Sequence, residues 1–471
     1  MIDGLKPYAA YKGSGIEWCP SLPSAWATER AKWLFTKMAR PVRPEDEVVT
    51  CFRDGMVTLR KNRRLRGFTE ASVESGYQGI RKGDLVVHGM DAFAGAVGVS
   101  DSDGKGTPIY NVCQPREGVS AAYYAQAVRE MAQSKWILAL AKGIRERSTD
   151  FRFEMFGNQF MPVPPPAEQD AIVRFLDWAN SRLERTIRAK RRVIALLTEQ
   201  KQALIHRAVT QGLDANVRRK ASGISWVGEI PTHWDVLRSK YLFQEVDARS
   251  TSGTETHLSM SQKFGLIPNS QITVRRLVSE TQVGAKLCAT GDLVLNRLKA
   301  HLGVFALASQ PGLISPDYTV LRQVREMDAR YFEAVYRTPA CRVELRQKAK
   351  GIVQGFWRLY TDDFYDIRLP VPPVDEQRRI VAQLDTDLSA PNTAISRLEA
   401  EILLLREYRT RLVADVVTGK LDVREAAAAL PQEEPGSALE PDALDTGELG
   451  DEGDEGDDTA NGDELDDDGK A

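Results

Sequence analysis

The feature that most constrains this chain is that it repeats itself. Ser14-Gly15-Ile16-x-Trp18 returns as Ser222-Gly223-Ile224-x-Trp226, and Pro23-x-x-Trp26 returns as Pro231-x-x-Trp234. Leu34-Phe35 returns as Leu242-Phe243, Gly83-Asp84-Leu85-Val86 as Gly291-Asp292-Leu293-Val294, and Pro108-x-Tyr110-x-Val112 as Pro316-x-Tyr318-x-Val320. Lys142-Gly143-Ile144 recurs as Lys350-Gly351-Ile352, and Leu213-Asp214 as Leu421-Asp422. All share an offset of 208, with a small local shift over 45–75. Chance does not hold one register that long, so the chain is a tandem duplication of 7–214 and 215–422. Whatever one half folds into, the other half must fold into as well.

Each half divides in two. Short apolar runs such as 84–87, 96–99, 292–295 and 304–307, bounded by turn residues, read as strands, and 123–141 and 329–350 have helical spacing. That combination predicts a compact α+β domain. Next comes Met161-Pro-Val-Pro-Pro-Pro-Ala-Glu-Gln, or Leu369-Pro-Val-Pro-Pro-Val-Asp-Glu-Gln in the second copy. Proline fixes φ and is tolerated in a first helical turn, so each run reads as a stiff entry into a helix, with Pro164, Pro165, Pro372 and Pro373 as its joint. The helices that follow carry a heptad seam, Leu176, Leu183, Ile187, Ile194, Leu197 and Leu204 in one copy, and Leu384, Ile395, Leu398, Ile402, Leu405 and Leu412 in the other. Asn180, Lys190 and Lys201 interrupt the first seam, and Pro391 is expected to kink the second helix.

The expected organisation is a globular domain over 1–160, a helical spacer over 161–215, a second domain over 216–368, a second spacer over 369–430 and an acidic tail over 431–471. If a two-fold axis relates the halves, the two spacer helices pair antiparallel as a coiled coil between two similar domains, giving a pseudo-symmetric dumbbell. The tail carries 17 acidic residues and one lysine. With a whole-chain charge of −3, residues 1–430 then carry +13. A basic body suits a polyanionic partner. The tail is expected to be disordered, and reads either as a solubilising extension or as a segment that competes with DNA for the basic faces.

Five scattered cysteines without a C-x-x-C argue for a reducing, cytoplasmic setting and against a cysteine-held metal. No apolar run is long enough to span a membrane. Catalytic constellations are not evident: there is no phosphate-binding G-x-x-x-x-G-K-[ST], Phe93-Ala-Gly-Ala-Val-Gly98 lacks a glycine-rich counterpart in the second copy, and the five histidines lack ligand spacing. The chain is therefore expected to be no enzyme and to hold no cofactor. Binding chemistry remains. In the first domain Arg60, Lys61, Arg63, Arg64, Arg66, Arg145, Arg147 and Arg152 are candidate DNA contacts. In the second domain Arg275, Arg276, Asn296, Arg297, Lys299, Gln354 and Arg358 are the candidates. Arginine can pair bidentately with guanine, asparagine or glutamine with adenine, and lysine neutralises phosphate. Trp18, Trp26, Trp226 and Trp234 repeat at identical spacing and read as structural.

The duplicated Pro-x-x-Trp, Gly-Asp-Leu-Val, Pro-x-Tyr-x-Val and [Leu/Met]-Pro-Val-Pro-Pro-x-x-Glu-Gln-x-x-Ile-Val, with the heptad helices and the closing Val-Thr-x-x-Leu-Asp, resemble the DNA specificity subunit of type I restriction–modification systems over about 7–425. That resemblance implies two target recognition domains, each reading half of a bipartite double-stranded DNA site. The paired helices would set the gap and dock two modification subunits that hold S-adenosylmethionine, with restriction subunits joining them. A single-chain methyltransferase or nuclease, and a coiled-coil adaptor that reads no DNA, are the alternatives. The acidic tail is not part of the family pattern.

Overall fold

The computed structural model describes residues 5–63, 75–140, 150–261, 264–271, 282–353 and 356–431. The tail beyond 431, and Arg64, Arg66, Arg145, Arg147, Arg275, Arg276 and Gln354 among the candidate contacts, lie outside the described residues.

Chain order in the first repeat is β1 (Ala27–Arg30), β2 (Phe35–Lys37), β3 (Leu85–His88), β4 (Val97–Val99), β5 (Tyr110–Pro115), α1 (Ala121–Gln133), β6 (Phe160–Val163) and the 46-residue α2 (Pro166–Gln211). The second repeat gives β7 (Asp235–Arg238), β8 (Phe243–Val246), β9 (Leu293–Asn296), β10 (Phe305–Leu307), β11 (Tyr318–Gln323), α3 (Ala329–Arg337), β12 (Arg368–Val371) and the 44-residue α4 (Val374–Val417). Central antiparallel sheets have the orders β2-β5-β3-β4 and β8-β11-β9-β10. Their registers coincide at the 208 offset: Cys113 faces Leu85 as Leu321 faces Leu293, and Tyr110 faces His88 as Tyr318 faces Asn296. A separate ribbon pairs β1 with β6 and β7 with β12, so the proline run enters as a paired strand. The architecture is thus α+β and internally duplicated, as the repeat requires.

Repeated sequence positions become repeated packing. Trp26 meets Tyr123 edge-on at 6.4 Å between ring centroids, and Trp234 meets Tyr331 in the same way at 6.4 Å. Phe35 packs on Tyr124 at 5.4 Å and Phe243 on Phe332 at 5.9 Å. All eight rings are fully buried, and aromatic burial of this kind dominates core energetics. The Gly-Asp-Leu-Val motif is also structural. Gly83 and Gly291 take positive φ (91° and 86°), which favours glycine. The buried carboxylates that follow accept the amides of Arg81 and Ala289 (both 2.8 Å). Each is then gripped by an arginine fork, Asp84 by Arg40 and Asp292 by Arg322.

The chain forms two compact units: 1–175 with 415–471, and 176–414. In the first, the Tyr123 hydroxyl donates to the carbonyl of Val417 (3.0 Å); in the second, Tyr331 donates to Val209 (2.8 Å). Each globular part is thus sealed by the C-terminal end of a long helix from the opposite repeat. In the second unit the chain simply continues past that point, with Gly212 against Trp234. In the first unit the same place is built from two segments far apart in sequence: Asp422 donates its amide to Lys6 (2.8 Å), and Gly419 packs on Pro23 and Trp26.

Within the second unit α2 and α4 run antiparallel. Glu184 meets Arg409 (3.1 Å), Lys190 meets Glu401, and Lys201 donates to Asn392, so numbers fall on one helix as they rise on the other. Lys190 and Lys201, which interrupt the heptad, are used for these cross-pairs. Leu183, Ile187, Leu384, Ile402 and Leu412 are buried, whereas Ile194, Leu197, Leu204, Ile395, Leu398 and Leu405 are only half-buried. The second helix is continuous through Pro391, which has no amide hydrogen to give the ladder. Two turns of sequence later, no break has appeared.

Candidate nucleic-acid interface

The joint is a glutamine clamp as much as a proline run. Pro165 supplies the carbonyl that accepts the amides of Glu168 (2.8 Å) and Gln169 (3.0 Å), and Pro373 does the same for Glu376 (2.9 Å) and Gln377 (3.0 Å). Both glutamines are buried. Gln169 accepts the amide of Ser120 (2.8 Å) and donates to the Pro164 carbonyl (2.9 Å). Gln377 accepts the amide of Asp328 (2.8 Å) and donates to Pro372 (2.8 Å). Each side chain therefore ties the long helix to the start of the domain helix, α1 or α3, and to the proline backbone. The glutamates diverge. Glu168 accepts from the Tyr8 hydroxyl and from Trp26 Nε1 (2.9 Å), and burial followed by that hydrogen bond raises the Tyr8 pKa far above its ordinary value. Glu376 instead meets His233 (2.7 Å), leaving Trp234 Nε1 buried without a partner.

At one end of each central sheet the chain makes a tight turn after β3 or β9. In the first repeat, Nδ1 of His88 accepts the amides of Met90 (3.2 Å) and Asp91 (3.1 Å). In the second, Oδ1 of Asn296 accepts the amides of Leu298 (3.1 Å) and Lys299 (3.2 Å). Burial first, opposed by Asp91, lowers the His88 pKa and favours the neutral ring, and the two amides pointing at Nδ1 assign it as the acceptor nitrogen. A glycine at positive φ closes both turns, Gly95 (90°) and Gly303 (72°). The backbone frame is the same, yet the side chains differ: His88-Gly-Met-Asp in one copy and Asn296-Arg-Leu-Lys in the other. A second exchange preserves geometry in the same way. Gln78 and Lys286 each donate to the carbonyl of the β5 or β11 tyrosine, Tyr110 (2.7 Å) or Tyr318 (2.9 Å).

Of the eight described candidates, Arg152, Asn296, Arg297, Lys299 and Arg358 lie at these turns, whereas Arg60, Lys61 and Arg63 lie beyond the hairpin 49–59. In the second unit Arg297 donates to the carbonyls of Asp317 (3.0 Å) and Pro316 (2.9 Å), and Arg358 reaches the Asp317 carboxylate (3.4 Å). Leu359 bonds back to the Arg297 carbonyl (3.0 Å), which holds Asn296, Arg297, Lys299 and Arg358 around one turn; of these, Lys299 is exposed. In the first unit Phe151 bonds to Gly89 (2.9 Å) and so places Arg152 at the matching turn, where it pairs with Asp150 (2.7 Å). Arg60, Lys61 and Arg63 follow the hairpin 49–59. Arg60 donates to Thr50 (3.3 Å), Lys61 pairs with Glu47, and Arg63 pairs with Asp54 (2.5 Å) and lies over the Phe52 ring (4.6 Å). Arg53, which the sequence did not single out, links that hairpin to the turn through Asp91 (3.1 Å). Only the ion pair itself marks it; composition carries no signal for it.

The fold these elements define is a duplicated α+β chain whose repeats are each followed by a long helix, the two helices pairing antiparallel. No protein-family model and no curated protein matches the sequence. Among solved structures, the chain is similar to one from a study of complex assembly and conformational transition of the type I R-M system, at 16% identity and a TM-score of 0.59, covering 84% of this chain and 98% of that one. That likeness establishes the shared fold. An HsdS subunit from Thermoanaerobacter tengcongensis (16% identity, TM-score 0.41, 85% and 98% covered) and a type I restriction-modification S subunit from M. genitalium (14%, 0.33, 83% and 96%) are more distant in shape.

Proposed function

We propose that this chain is the DNA specificity subunit of a type I restriction–modification complex. Each globular part reads one half of a bipartite double-stranded site, and the paired helices fix the gap between halves. The observation that carries this reading is the pair of turns at His88 and Asn296: one backbone frame, built twice at identical register, presenting different chemistry. Two readers of unlike half-sites need that combination, a common frame with exchanged side chains. Arg297, Lys299 and Arg358 in one copy and Arg152 with the 60–63 stretch in the other supply the cations for phosphate and base contact.

The chain itself does no chemistry in this reading. It docks two methyltransferase subunits, which bring S-adenosylmethionine, and restriction subunits complete the assembly in the cytoplasm. Among the described residues, no helix is long and apolar enough to cross a membrane. The long helices support docking: Leu196 and Leu404 occupy equivalent positions and are both exposed (58% and 62%), so the coil offers the same apolar residue twice. Methylome sequencing of a host carrying this chain and its methyltransferase partner tests the proposal. A split motif with a fixed gap is expected, and replacing 1–160 by another such domain changes one half of it. A change in both halves overturns the independent-reader scheme.

A further inference from the structure

The duplication serves as an internal comparison, because exposed positions are free to diverge unless something outside the chain holds them. Most have diverged. Exposed Tyr11, Ile109, Leu138 and Phe160 are answered by Arg219, Asp317, Arg346 and Arg368. Among the described residues, one pair of exposed aromatics occupies equivalent positions: Trp33 (57% exposed) and Tyr241 (56%). Their neighbours are kept too, Arg30-x-Lys32 and Arg238-x-Lys240. The lysine lies over the ring in both, Lys32 at 6.0 Å from Trp33 and Lys240 at 5.0 Å from Tyr241. Arg116 adds a second cation at 5.9 Å from Trp33.

The place of this patch separates it from the turns described above. β2 begins at Phe35 opposite Pro115, whereas His88 faces Tyr110, at the other end of β5. Five residue steps of strand put the two about 17 Å apart along the sheet. In the second unit Phe243 faces Gln323 and Asn296 faces Tyr318, so the same separation holds. Exposed tryptophan or tyrosine beside arginine is the composition enriched at protein interface anchors, and the lysine over each ring adds charge that selects an acidic counterpart.

We propose that the Lys32–Trp33 and Lys240–Tyr241 patches are equivalent docking anchors for two copies of one partner subunit, which meets each with an acidic, apolar-edged surface. This rests on the function proposed above and assigns the partner as the methyltransferase subunit. A patch built once per repeat takes one copy per repeat.

The test uses the full chain co-purified with a type I methyltransferase subunit co-expressed from the same host, with native mass spectrometry reading the number of copies bound. Lys32→Glu with Trp33→Ser should lower the complex from two copies to one, with affinity at that site falling about 30-fold or more. Lys240→Glu with Tyr241→Ser should do the same, and all four changes together should leave none at the same concentrations. Thermal melts identical to the unaltered chain exclude misfolding, and loss of a single copy from each double variant is a pattern that general unfolding does not produce. Two copies still bound to the fourfold variant overturn the docking proposal alone. Two copies bound with DNA affinity lost make the patch a DNA contact and overturn it as well. An unaltered chain that binds no methyltransferase subunit overturns the function proposed above, and this inference falls with it.

Discussion

Replacing Gln377 by leucine isolates what holds the second helix to its domain. The side chain is 1% exposed and makes two hydrogen bonds, from the Asp328 amide and to the Pro372 carbonyl. Leucine strands both groups, at about 1–3 kcal/mol each for an unmet buried partner. Its greater apolar burial returns roughly 1–2 kcal/mol. The net local cost centres on about 2.5 kcal/mol, or about 70-fold faster hydrogen exchange where opening is limiting. Exchange measured by mass spectrometry on the full chain should show this in peptides spanning 326–332 and 370–378. The matching peptides of the first repeat, at 118–124 and 162–170, should be unchanged, which makes the duplicate an internal control. Gln377→Glu sharpens the reasoning: it keeps the acceptor for Asp328 but points a carboxylate at the Pro372 carbonyl, so protection should recover only as that carboxyl protonates. Pro372→Gly with Pro373→Gly should cost less, about 1 kcal/mol per residue, because those changes act through the freedom of the unfolded chain. If the prolines prove costlier than the glutamine, or if the leucine variant exchanges within threefold of the unaltered chain, the clamp is not what fixes the joint.

Further outcomes follow from the same contacts. Glu130 is pushed up to about 7, first by burial, against the pull of Lys420, so its contribution to stability is complete below about 4.5 and is lost as pH rises through about 7. Glu130→Gln should therefore flatten the pH dependence of unfolding of the first unit over that window, and an unchanged slope refutes the assignment. Asn296→Ala removes the acceptor for two turn amides, costing about 1–2 kcal/mol, and should relax only one half of the methylated motif. Because Asp214 corresponds to Asp422, a permuted chain running from 215 to Asp422, joined directly to Pro7 and ending at 214, should fold with both helices intact by circular dichroism; loss of cooperative melting would show that the paired segments at Lys6 and Asp422 in the first unit do not substitute for the continuous segment in the second.

How much of this was legible depends on what a residue's neighbours add to it. The 208 offset carries over to strand order, register and aromatic packing because backbone pairing and burial are set by residue type and spacing, which the sequence prints directly. Leu85 and Leu293 sit in matching rungs for that reason. The Glu-Gln pair was readable as a helix start, but its work was not, since the partners of Gln169 lie at Gly118, Ser120 and Pro164 and arise only when α1 is packed. The basic stretch shows the limit most sharply. Counted as charge, Lys61, Arg63, Arg152 and Arg358 are four cations for DNA; folded, each has a carboxylate within ion-pair distance, Glu47, Asp54, Asp150 or Asp317. The exposed Lys61 and Arg152 pairs contribute little to stability and can open toward phosphate at small cost, whereas the half-buried Arg63 and Arg358 pairs cost more to open. The charge count therefore measures the capacity of the surface, and the ion pairs decide how much of it is offered before DNA arrives. Salt titration separates the two: releasing a paired arginine adds a carboxylate as well as a cation near the phosphates, so Asp317→Asn should strengthen DNA binding and steepen its salt dependence, whereas an unaltered slope would mean that Arg358 stays off the DNA.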